Sequence, residues 1–271
     1  MRAVSFALAA AFCLATASPR AHAAGAEDAF TAADTAWNGV TPPVLKAGFY
    51  HAPVSFKVVA LSFDDGPSQY TPEILAILAM HHVKATFFML GDEVEKHPEI
   101  ARQVVAAGHE LGNHTYDHPS FCSHTAPDSE QEQRLRAKLE FEIEKTHAIL
   151  AMETDLAPKL MRMPYGCNPR DLDAIVRKLD YSAVFWSVDG RDWSRPGVKY
   201  IVDRYSDETK PGAVLLMHDG GGNRSETVAA LDAILTGIEE RGLTFVTIGQ
   251  MLAMMHDRGF AYASLDLPIL R

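Results

Sequence analysis

The chain has 271 residues, 47% of them hydrophobic and 22% charged, with a formal net charge of −10. That length and composition suit one globular domain with a sizeable core and exclude a disordered or low-complexity protein. The acidic balance, more negative still without Arg2 and Arg20, does not favour nucleic acid or anionic membrane surfaces as partners.

The N-terminus reads as a leader peptide for export, ending near residue 23. Arg2 gives a positive start, residues 4–17 form an apolar run, and Ala21-His22-Ala23 has the small-x-small cleavage pattern. The run is short for a bilayer span, and no later segment is long and apolar enough to cross a membrane. The mature chain is therefore expected to be soluble and exported, either periplasmic or secreted. Cys13 leaves with the leader, while Cys122 and Cys167 remain. In an exported chain these two can pair as a disulfide or stay as buried thiols, and both readings stand open.

Residues 24–56 show no clear periodicity and read as an irregular extension. From residue 57 a regular alternation begins. Strands are expected at 57–63, 84–90, 110–113, 159–163, 182–188, 213–217 and 243–248. Helices are expected at 72–82, 98–107, 129–152, 170–179, 198–207, 225–240 and 250–255. Thr71 and Pro72 suit the opening of the first helix, and Gly108 and Gly242 suit helix stops. The catalytic unit is placed at 57–255 and a tail at 256–271. Seven strands alternating with helices imply parallel βαβ units. A count close to eight favours an α/β fold of (β/α)-barrel type over an open doubly wound sheet, and no glycine-rich phosphate fingerprint follows the first strand.

In such barrels the C-terminal strand ends carry the active site. Five motifs fall there: Ser62-Phe63-Asp64-Asp65-Gly66-Pro67, His114-Thr115-Tyr116-Asp117-His118, Arg162-Met163-Pro164-Tyr165, Asp189-Gly190-Arg191-Asp192-Trp193 and Leu216-Met217-His218. His114 and His118 are four apart and face the same way on a helical turn. With Asp65 as the third ligand they form a set that leaves a coordination position open. Zinc suits mixed nitrogen and oxygen ligation best, and cobalt, nickel or iron suit the same set. Adjacent carboxylates on a strand take opposite faces, so Asp65 can bind the ion while Asp64 serves as general base. Arg162 is suited to keep Asp64 ionised through a bidentate contact. His218 is the candidate acid, with Asp189 at the neighbouring strand end as the carboxylate that raises its pKa. A backbone N–H near Tyr165 can stabilise an oxyanion, and Trp193 and Leu216 supply apolar surface.

This set resembles the polysaccharide deacetylase family, carbohydrate esterase family four, over roughly residues 57–250. All five family motifs are present, with Ser62 where the family usually begins its first motif with Thr. The resemblance implies a distorted, incompletely closed (β/α) barrel of about seven parallel strands. It also implies Asp64 as base, Asp65, His114 and His118 as ligands of a divalent metal, Arg162 orienting the base, and Tyr165 at the oxyanion hole. Asp189 would tune His218, the acid, and Trp193 with Leu216 would line an acetyl pocket. The implied substrate is an N-acetylated glycan of chitin or peptidoglycan type. O-deacetylation of an acetylated xylan and a non-catalytic carbohydrate-binding barrel are the alternatives, and substrate choice is expected to lie in segments 119–130 and 220–225.

Overall fold

A computed structural model describes residues 45, 48–53, 55–122, 129–169 and 172–258. The expected leader and nearly all of the expected tail lie outside these residues. The strands are β1 (Val58–Gly66), β2 (Thr86–Met89), β3 (Glu110–Asn113), β4 (Leu160–Met161), β5 (Ser182–Ala183), β6 (Val188–Asp189), β7 (Val214–His218) and β8 (Thr244–Val246). The helices are α1 (Thr71–Met80), α2 (Gly91–Lys96), α3 (Pro98–Ala106), α4 (Glu130–Thr154), α5 (Leu172–Lys178), α6 (Val198–Glu208), α7 (Ser225–Glu240) and α8 (Ile248–Asp257). Seven strands follow the order β5-β4-β3-β2-β1-β7-β6, and β8 pairs β1. Every pairing is parallel. No helix among the described residues is long and apolar enough to cross a membrane.

The strand expected at 182–188 is broken in two. β5 and β6 stand at opposite ends of the strand order, yet only residues 184–187 separate them. Five peptide steps span at most about 18 Å, so the sheet must curl until its two ends come close. The result is the incompletely closed barrel. The run Val184-Phe185-Trp186-Ser187 looks like continuous strand because every residue but Ser187 favours β structure. It fails as one strand because it changes partner, from β4 on one side to β7 on the other.

Part of the 24–56 segment proves to be ordered and seals this seam. Phe49 bridges Val184 and His51 bridges Ala213. The Phe49 amide donates to Ala183 O at 3.0 Å, and the Phe185 amide donates to Phe49 O at 2.7 Å.

Alternation along the strands sorts the core into two layers. On β1, Val59, Leu61 and Phe63 pack outward with α1 and α7, while Val58 and Ala60 belong to an inner cluster. That cluster also holds Val214, Leu160 and Phe88, and it is closed by Leu45, Phe49, Ala52 and Phe56 of the extension and by α8. The same period of two carries the inner face on from Val58 and Ala60 to Ser62 and Asp64, and on β7 from Val214 to Leu216 and His218. The parallel register sets Asp64 beside His218, so the barrel's inner face ends in titratable groups.

Phe49 is buried and plugs the seam with an apolar ring. Phe49→Ala is expected to lower the free energy of unfolding by about 3–5 kcal/mol in a denaturant titration. An unchanged midpoint would refute the sealing role.

Candidate metal centre and catalytic cleft

Arg162 leaves the end of β4 and is fully buried. Its Nη1 donates to Asp64 Oδ1 at 2.8 Å and to Ser62 Oγ at 2.8 Å. Its Nη2 donates to Phe185 O at 3.0 Å and its Nε to Val184 O at 3.3 Å. The guanidinium lies over the Phe88 ring, 4.2 Å from the centroid. The contact with Asp64 is therefore single rather than bidentate, because the remaining N–H groups hold the broken strand between β5 and β6. Asp64 keeps Oδ2 free for the cleft, 3.8 Å from His114 Nε2. Ser62, the departure from the family's usual Thr, supplies the hydroxyl that Arg162 needs and donates it to Leu215 O at 2.7 Å.

Asp65 should face away from Asp64 on a regular strand. Instead the β1–β2 register shifts between Asp64 and Gly66, and Asp65 takes a left-handed conformation with φ 71°. This bulge re-aims the side chain. Asp65 Oδ1 comes to lie 3.3 Å from His114 Nε2 and 3.2 Å from His118 Nε2. His114 and His118 do not share a helical turn, contrary to expectation. The chain after β3 is a bend, with Thr115 at φ 72° and His118 at φ 60°, and these conformations bring the imidazoles together with centroids 5.1 Å apart. Several sterically costly backbone conformations thus cluster at one place, as they do at functional sites.

Asp65, His114 and His118 each offer one ligand atom, all within 4.8 Å of one another. Asp65 Oδ1 is buried without a hydrogen bond. His114 Nδ1 donates to Arg162 O at 2.8 Å, which fixes the ring and leaves Nε2 as the ligating atom. Burial alone would favour a neutral Asp65, but its close contact with His114 and the charge of the surrounding imidazoles prevail and hold its carboxyl well below the usual carboxylate range. A carboxylate and two imidazoles converging on an unsatisfied oxygen fit a divalent cation.

His218 does not pair with Asp189. Asp189 Oδ1 accepts from the Arg191 amide at 2.7 Å. The chain then turns through left-handed Arg191 into a 3-10 turn at Asp192–Ser194, which returns the buried Asp192 to β7. Asp192 Oδ1 lies 2.8 Å from His218 Nδ1, and its Oδ2 accepts from the His218 amide at 2.9 Å and from Thr227 Oγ1 at 2.8 Å. Asp192 lay within the fourth motif. Choosing the strand-end aspartate overlooked that a two-residue strand hands over at once to a turn. Burial pushes His218 toward the neutral ring, but the charge and hydrogen bond of Asp192 overcome it and lift the pKa to about 9. Burial would raise Asp192, and the imidazolium holds it below the usual carboxylate range.

These groups line a cavity of about 560 Å³. Tyr165, Trp193 and Leu216 line it as expected, and Asp189, though not the partner of His218, lines it too. Tyr165 has φ 59° and sets its ring edge-on to His118 at 4.5 Å. Trp186, Met163, Leu90 and Arg224 also line the cavity and were not foreseen. Trp186 lies in the seam that read as strand, and Arg224 lies in the 220–225 segment expected to select substrate. Cys122 and Cys167 are joined by a disulfide, with Cα atoms 4.8 Å apart. It ties the segment after His118 to the segment after Tyr165, which resolves the choice the sequence left open.

The polysaccharide deacetylase profile matches residues 51–184. A peptidoglycan-N-acetylglucosamine deacetylase of Bacillus cereus is 36% identical over 210 residues, covering 76% of this chain and 93% of the relative. A chitooligosaccharide deacetylase of Bradyrhizobium is 38% identical over 205 residues, covering 71% and 90%. A family 4 carbohydrate esterase pseudoenzyme from Bacillus anthracis superposes with a TM-score of 0.68 at 28% identity, covering 79% of this chain and 70% of that one. The fold and the cleft define a carbohydrate-active hydrolase with an incompletely closed barrel. The chain belongs to the polysaccharide deacetylase family.

The His218 ring is expected to titrate near pH 9 by NMR in the wild type and well below that in Asp192→Asn, where burial is no longer opposed by the Asp192 charge and hydrogen bond. The folded pKa lies above the unfolded one, so the pair's contribution to stability is full below about pH 6.5 and is lost as pH rises through about 9. Equal titration in both proteins would remove Asp192 from this role.

Proposed function

We propose that the protein is a metal-dependent deacetylase that hydrolyses N-acetyl groups of N-acetylglucosamine-containing glycans, of peptidoglycan or chitin type, releasing acetate and a free amine. The observation that carries this reading is the pairing of two differently tuned proton-transfer groups across β1 and β7, beside a three-ligand set. Asp64 is tied to Arg162 through one oxygen only, and its other oxygen faces the cleft. His218 is tied to Asp192 and holds its proton to about pH 9.

Asp65, His114 and His118 would hold a divalent cation, which would supply Lewis acidity toward the acetyl carbonyl. Asp64 takes a proton from the attacking water, and the Arg162 contact keeps that carboxylate aimed. His218 gives its proton to the glucosamine nitrogen as the C–N bond breaks, and the new C–O bond leaves acetate. The ordinary amine of the product then carries the proton that the imidazolium lost. Trp193, Leu216 and Trp186 offer apolar surface to the acetyl methyl and to a sugar face. The named activities of the Bacillus cereus and Bradyrhizobium relatives support N-acetylglucosamine polymers as the substrate class. The leader-like N-terminus and the Cys122–Cys167 bond support an exported protein. Sequencing the N-terminus of material recovered outside the cytoplasm tests that part.

Acetate release from N-acetylglucosamine oligomers, peptidoglycan and acetylxylan, each with and without a chelator, tests the activity. Chelator-sensitive release from the first two is expected, and release from acetylxylan alone would favour the O-esterase reading. Asp64→Asn is expected to keep its metal content and lose roughly 10²–10⁴-fold in rate; near wild-type turnover would reject Asp64 as base. The rate should also fall as pH rises through about 9, where His218 loses its proton. A rate that keeps climbing beyond that pH would argue against His218 as the acid.

A further inference from the structure

The segment that joins β7 to α7 packs directly on the bulge that carries Asp65. The Asp219 amide donates to Asp64 O at 3.1 Å. At Gly220 an added Cβ would lie 1.9 Å from Asp65 O, and at Gly221, φ 71°, it would lie 2.4 Å from Asp65 Oδ2. Only backbone fits there, so the loop is a wall behind the carboxylate. Asp65 Oδ1 faces the two imidazoles while Oδ2 rests against Gly221.

The wall is pinned at both ends. On the β7 side, Asp219 Oδ2 accepts from Thr71 Oγ1 at 2.6 Å, and Asp219 O accepts from Ser68 Oγ. On the α7 side, Arg224 folds back on the loop. Its Nε donates to Gly220 O at 2.5 Å and its Nη2 to Gly221 O at 2.8 Å. Arg224 is 4% exposed and forms no ion pair among the described residues. A buried guanidinium without a carboxylate is costly, and its hydrogen bonds go to the two glycine carbonyls that abut Asp65.

We propose that Arg224 and the Gly220-Gly221-Gly222 loop are positioning elements that set the Asp65 carboxylate for a divalent cation, so that this loop controls cation affinity rather than proton transfer. The inference rests on the assignment of Asp65, His114 and His118 as the metal-holding set. Partners that orient a metal ligand typically change affinity 10–100-fold when removed.

The test uses the full chain made metal-free and titrated with Zn²⁺ against a chromophoric competing chelator. Gly221→Ala and Arg224→Ala are expected to bind Zn²⁺ about 10–100-fold more weakly than wild type. Arg224→Lys is expected to fall between, because an ammonium can still donate to a loop carbonyl. The Gly221→Ala rate deficit at limiting Zn²⁺ should vanish at saturating Zn²⁺; Arg224, which also lines the cleft, is judged on Zn²⁺ affinity alone. Near-ultraviolet circular dichroism identifies the variants that are folded. Wild-type affinity in folded Gly221→Ala and Arg224→Lys, or a Gly221→Ala rate deficit that persists at saturating Zn²⁺, would overturn the wall alone. A wild type that binds Zn²⁺ no better than His118→Ala would overturn the metal assignment, and the wall with it.

Discussion

The fully buried Arg162 guanidinium is the constraint on which the rest of the site depends. It joins β1, through Ser62 and Asp64, to the Val184-Phe185 carbonyls, where the strand order breaks. A charge in such a place is tolerable only with its donors occupied. Here the counter-charge is the very carboxylate that faces the cleft, and the carbonyl acceptors belong to the seam of the barrel. Closure of the fold and the aim of the Asp64 carboxylate are therefore one requirement. The Arg162 carbonyl also fixes the His114 ring, so the same residue orients a member of the ligand set.

Much of the fold was legible because β1 and β7 are short apolar runs of strand length, and because 225–240 carries an uninterrupted helical pattern. The short helix Gly91–Lys96 was missed, since six residues carry too little periodicity to announce themselves. The break within 182–188 was hidden by residues that favour strand on both sides of it. At the site, residue types revealed the ligand set, yet backbone conformation decides how it converges. Asp65, Thr115, His118 and Arg191 all adopt positive φ without being glycine, and no propensity argument anticipates that. Asp192 was overlooked for the same reason, since left-handed Arg191 turns it back toward His218.

Belonging to a family does not by itself establish turnover. One structural relative is named a pseudoenzyme, and a mutant of it is described as having restored activity. Catalysis in this chain rests on its own side chains: the oriented Asp64 carboxylate, the His218 imidazole held by Asp192, and the unsatisfied ligand oxygen of Asp65. The disulfide between Cys122 and Cys167 adds a covalent brace between the rim segments that carry His118 and Tyr165.

The direct pairing of Asp64 with His218 in the β1–β7 ladder has a broader consequence. Neighbouring strands stand about 4.8 Å apart because peptide hydrogen bonds set that spacing. The gap between the two groups is thus a property of the main chain, insensitive to the composition of the surrounding loops. Loops above the mouth can be exchanged to accommodate polymers of different shape, while the span that an amide must bridge between its two flanking side chains stays constant. A scaffold of this kind separates what is recognised from what is cut.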